Sequence, residues 1–147
     1  MAVFQTNQAK RKETPPAGYA SGVRLTQIVE YVFTTAYVAA TDRIEMFMLP
    51  AGARLLKARA IFANVGAVNT SLGIMSGEFG TTDNARTVGT ELFAAQTMAN
   101  GEVELTTTAC LAVAPDNTKH RGIGMIPATD IAAGGTKKVT LIVEYDF

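Results

Sequence analysis

From Leu25 onward the chain is patterned with a period of two. Val29, Tyr31, Phe33 and Tyr37 alternate with Glu30, Thr34 and Ala36, and β-branched and aromatic side chains dominate, as strands prefer. Residues 42–49 place Ile44, Met46 and Met48 on one face and Arg43, Glu45 and Phe47 on the other, until Pro50-Ala51-Gly52 breaks the run. The next run sets Leu56, Ala58, Ala60 and Phe62 against Lys57 and Arg59. Its Ala, Leu, Lys and Arg also suit a helix, but the alternation and the bracketing Pro50 and Gly66 favour a strand. Asn69 to Ser76 reads as another strand. The last run is the most regular. Val139, Leu141, Val143, Tyr145 and Phe147 face one way, and Lys138, Thr140, Glu144 and Asp146 face the other, with Ile142 the one apolar exception.

Between these runs the pattern is looser. Thr82-Asp83-Asn84 suits the cap of one or two helical turns, and Glu91 to Met98 fits either a strand or a short helix. Val103 to Val113 reads as one or two strands, Pro115-Asp116-Asn117 as a turn, and Gly122 to Ile126 as a short strand. About seven to nine short strands, with turn signals roughly every 8–12 residues and no alternation with long helices, predict an antiparallel sandwich or barrel. Residues 1–24 break the pattern. They hold Lys10-Arg11-Lys12, Pro15-Pro16, Gly18 and Gly22 with scattered apolar residues, and read as an extended N-terminal arm. A disordered tail is the rival reading. The expected division is therefore an arm over 1–24 and a β-sandwich domain over 25–147.

Composition narrows the function. A chain of 147 residues suits one domain and is large enough to stand on its packing. Thirteen basic residues balance thirteen acidic ones, so no net field steers the chain to nucleic acid, and neutrality favours association. No window is long and apolar enough for a membrane helix, and the N-terminus lacks the apolar stretch of a signal peptide. Synthesis and folding in a cytoplasm are expected.

The search for chemistry leaves little. Cys110, the only cysteine, lies in an apolar run and reads as a buried thiol. His120, the only histidine, sits between Lys119 and Arg121 with no second Cys or His to complete a zinc site. No Gly-x-Ser-x-Gly elbow is present. Glu102 and Glu104 share a strand face but read as solvated, and Asp83 or Asp116 lacks a full calcium loop. No enzyme signature, metal set or cofactor site emerges.

One combination of segments does resemble a known family. The run Thr41 to Leu56, with Leu49-Pro50-Ala51-Gly52-Ala53 joining two strands as a hairpin, is similar to small structural proteins of tailed phages. Phe93-Ala94-Ala95, Gly122-Ile123-Gly124 and Ala133-Gly134-Gly135-Thr136 leading into Val139 to Tyr145 look like that family's closing segments. The resemblance covers roughly residues 27–147. It implies a jelly-roll-like β-sandwich on the capsid exterior, a decoration (cement) protein bound to the major capsid protein, commonly as a homotrimer. It carries over no catalytic residue. A receptor- or glycan-binding knob of a phage tail or head fibre is the alternative, weakened by the lack of Trp.

The arm lies outside the resemblance, and its role rests on its residues. Val3, Phe4 and Tyr19 are apolar anchors, and Lys10, Arg11 and Lys12 are charges suited to an acidic or strand-edged neighbour. These six are the candidate partner-binding residues. Strand addition to a neighbour would supply backbone hydrogen bonds as the binding energy.

Overall fold

The computed structural model describes residues 2–6, 10, 23–83 and 85–147. Among them the alternating runs become nine strands: β1 (Val3–Gln5), β2 (Leu25–Val32), β3 (Arg43–Leu49), β4 (Arg54–Ala63), β5 (Asn69–Met75), β6 (Phe93–Thr97), β7 (Glu102–Thr107), β8 (Arg121–Pro127) and β9 (Lys138–Asp146). They form two sheets, ordered β1-β3-β8-β5-β6 and β2-β9-β4-β7. From β2 onward successive strands change sheet at every step except β5 to β6, a jelly-roll-like, antiparallel order.

β9 shows why the alternation matters. Val139, Leu141, Val143 and Tyr145 are completely buried between the sheets. β9 pairs with β2 on one side and β4 on the other, so its inner row meets Val29 and Tyr31 of β2 and Ala58, Ala60 and Phe62 of β4. The larger sheet contributes Ile44, Phe47, Leu49, Leu72, Ile123 and Met125 to the same core. Burying such side chains supplies about 1.5–3 kcal/mol each, which explains how the fold stands without a disulfide.

Five local expectations change. The register of β3 on β8 shifts between Glu45 and Phe47, so parity reverses there: Phe47 and Leu49, not Met48, join Ile44 in the core. A second shift between Leu55 and Lys57 buries Leu55 in place of Leu56. The turn at Leu49–Ala53 is not a hairpin. It closes through Ala53 N–H donating to the Pro50 carbonyl, with Gly52 at φ 81°, and carries the chain from the larger sheet to the smaller. Val103–Val113 is a strand followed by a 3-10 turn, Ala109–Ala112, that buries Cys110. At 82–85 Asp83 accepts from Ala85 N–H in a turn, and no helix follows among the described residues.

The first residues of the expected arm also belong to the sheet. β1 pairs in parallel with β3, Val3 beside Arg43, Phe4 beside Ile44 and Gln5 beside Glu45. Thr6 N–H donates to the Glu45 carbonyl and Arg43 N–H to the Ala2 carbonyl. A three-residue strand is too short to show a period, which is why Val3-Phe4-Gln5 read as part of an extended arm outside the sheets.

Candidate functional site

The sandwich brings the described part of the arm to one side of the molecule, where β1 and β2 are the edge strands of their sheets. A cleft of about 310 Å³ lies between them, lined by Val3, Phe4, Lys10, Glu30, Tyr31 and Thr34 among others. Of the six candidate partner-binding residues, the structure thus gathers Val3, Phe4 and Lys10. Arg11, Lys12 and Tyr19 lie outside the described residues. Phe4 is turned inward: its ring is 6.3 Å from that of Tyr31, which meets Phe33 edge-on at 5.0 Å. Lys10 is exposed, and its backbone N–H donates to the Thr6 carbonyl.

β1 is held by acids that the alternation does not explain. Asp42, buried where β3 begins, accepts from the N–H groups of Ala2 and Val38, each at 2.9 Å, and from the Thr41 hydroxyl. Burial opposes its charge, but these donors outweigh it and hold the carboxyl below its ordinary pKa. Burial, followed by the nearby Asp42 charge, pushes the Tyr31 phenol well above its usual range. Burial likewise raises Tyr37 to about 12, and its hydroxyl donates toward the carbonyls of Asp42 and Pro127.

Glu45 is fully buried on the outer face of the larger sheet. Its Oε2 accepts from Gln5 Nε2 of β1 and from Gly80 N–H, both at 3.0 Å, and its Oε1 meets Arg86 Nη2 at 2.5 Å. Arg86 also donates to the carbonyls of Ser76 and Thr81. The segment carrying Gly80 and Arg86 is thereby fastened over the sheet, and its own Phe79 is buried. Glycine makes the room. A Cβ on Gly122 would stand 2.2 Å from Glu45 Oε1, and one on Gly124 2.4 Å from Met75 Cγ.

The remaining sequence candidates are scattered. Cys110 is buried, and desolvation raises its thiol pKa. His120 is exposed and accepts from Ala51 N–H through Nδ1. Glu104 lies 3.4 Å from Arg59 on the outer face of the smaller sheet. Asp116 caps a turn by accepting from Thr118 and Lys119. Among the described residues no group of three or more His, Cys, Asp or Glu is placed to hold a metal.

The class these features define is a two-sheet β-sandwich whose buried charges fasten its own first strand and loop. Comparison with solved structures gives two particular likenesses. A chain from the capsid of Ralstonia phage GP4 matches with a TM-score of 0.86 and 29% identity, over 99% of this chain and 97% of that one. A chain from the capsid asymmetric unit of cyanophage Pam1 shares the fold, at a TM-score of 0.59 and 17% identity over 92% of this chain and 91% of that one. No protein-family model matches the chain, and no curated protein does.

Proposed function

We propose that this chain is a non-enzymatic structural protein of a tailed-phage virion, bound to the outside of the capsid as a decoration protein. The observation that carries the reading is the likeness over almost the whole chain to a component of the Ralstonia phage GP4 capsid. The fold supports it: a two-sheet β-sandwich with one continuous apolar core and zero net charge suits a protein whose work is to sit on a shell. The proposed partner is the major capsid protein, and the proposed state on the capsid is a homotrimer.

The arm is the proposed attachment element, with its roles divided. Val3 and Phe4 root it in the sandwich through β3 and Tyr31. Lys10, Arg11, Lys12 and Tyr19 are the residues proposed to reach the partner. The test is co-sedimentation with undecorated capsids. Full-length protein is expected to bind, and a chain whose residues 11–22 are replaced by a Gly/Ser linker of equal length is expected to bind more weakly. Failure of the full-length chain to bind overturns decoration. Equal binding by both chains overturns the arm's role alone.

A further inference from the structure

The four outer strand edges of the sandwich are β1, β6, β2 and β7. An exposed edge invites pairing with another chain, and proteins blunt such edges by shortness, bulges, charge or proline. Three are blunted here. β1 has three residues. β6 meets β5 across a register shift, with Ala95 at φ 46°. β7 presents Glu102 and Glu104. β2 is different: it runs eight residues, Leu25–Val32, without proline, lysine or register shift, and among the described residues β9 is its only neighbour in the sheet. Its single charge, Glu30, is already paired with Lys138 at 3.1 Å on its own sheet.

The hydrogen-bonding side of each β2 residue follows from its end. Phe33 N–H donates to the Lys137 carbonyl, toward β9. Alternation therefore points the backbone groups of Tyr31, Val29 and Gln27 inward, and those of Thr26, Ile28 and Glu30 to the open edge. The side chains of these last three lie on the outer face, and Ile28 is 62% exposed, the most exposed of the large apolar residues among those described.

We propose that β2 is a two-fold pairing edge whose partner is β2 of a second copy of this chain. The pattern is self-complementary about Ile28. Antiparallel pairing centred there sets Ile28 against Ile28, and Thr26 against Glu30 on both sides, so the two Glu30 carboxylates never face each other. Thr26, Ile28 and Glu30 from the two copies then exchange a full set of backbone hydrogen bonds, and the two four-stranded sheets become one. Zero net charge adds no long-range repulsion. So short a contact covers less than the roughly 1,200–2,000 Å² of a standard interface, so it forms between copies already concentrated, as on a shared surface. It uses no residue of the proposed attachment arm.

Disulfide trapping in the free protein at high concentration tests the register, since directly opposed strand residues have Cα atoms close enough to bridge. Buried Cys110 stays in place, and the unsubstituted chain is the control. Ile28→Cys is expected to give a covalent dimer linked through position 28. Thr26→Cys and Glu30→Cys alone are expected to give little, and their mixture to give the crossed dimer. A second readout is sedimentation, in which Ile28→Lys should abolish concentration-dependent pairing. Ile28→Cys remaining monomeric, or Thr26→Cys and Glu30→Cys self-linking as readily as it does, overturns the proposal whether or not the chain binds capsids.

Discussion

The two outer faces of the sandwich carry similar residues and meet opposite fates. On the smaller sheet, Arg24–Glu144, Lys138–Glu30 and Arg59–Glu104 pair in solvent at 3.1–3.4 Å. On the larger sheet, Glu45 and Arg86 pair with their side chains 0% and 1% exposed, beneath the loop 76–91. What separates them is glycine. Gly122 and Gly124 leave hollows on the larger sheet that a loop and a buried carboxylate fill, whereas the smaller sheet carries full side chains outward. An ion pair in water is worth about 0–1 kcal/mol, while a buried charge that loses its partner costs about 3–5 kcal/mol.

That contrast is easiest to break at Arg86. Arg86→Ala should lower stability by about 3–5 kcal/mol, measured by urea unfolding, because it strands Glu45 and two carbonyls. Changing Glu45→Gln together with Arg86→Met should cost less than the two single losses added, since no unpaired charge remains. Next comes Gly122→Ala, expected to cost about 1–3 kcal/mol by crowding Glu45 in a filled site. If thermal melting shows it neutral, the hollow is softer than the close approach implies.

Asp42 sharpens the comparison through pH. Its folded pKa is depressed, so its stabilising effect is fully present above the unfolded value of about 3.9 and is lost as pH falls through the folded one. Acid titration below about pH 4 should therefore destabilise the native chain more steeply than Asp42→Asn, and amide exchange should rise first near β1. The smallest effect is expected on the open face. Arg59→Ala should shift stability by no more than about 0.5 kcal/mol, and what it shifts should vanish in high salt.

Much of the sandwich was legible because its inner rows alternate. Val139 to Tyr145 needed nothing beyond periodicity. Phe47 and Leu55 were misplaced because a one-residue bulge reverses every side chain beyond it and leaves no mark in composition. The alternation put Glu45 on the face opposite Ile44 but not its burial, because its cover comes from a loop some forty residues away. The arm's candidates were chosen for residue type, but the docking of Val3 and Phe4 depends on β3, whose edge no local pattern reveals. Gly122-Ile123-Gly124 was legible as part of a strand, but what its glycines make room for was not.

The position of β9 also sets a schedule for synthesis. β2 and β4 never pair with each other, and both wait for the last of the nine strands: Arg24 and Glu144, 120 residues apart, are neighbours only once it arrives. Until residues 138–146 have left the ribosome, the smaller sheet has no centre, and β2 and β4 present unpaired edges to the cell. The larger sheet can begin earlier, since β8 is already available to join β3 and β5. A nascent chain should therefore resist protease in two stages, with the segment around β2 protected only in the second.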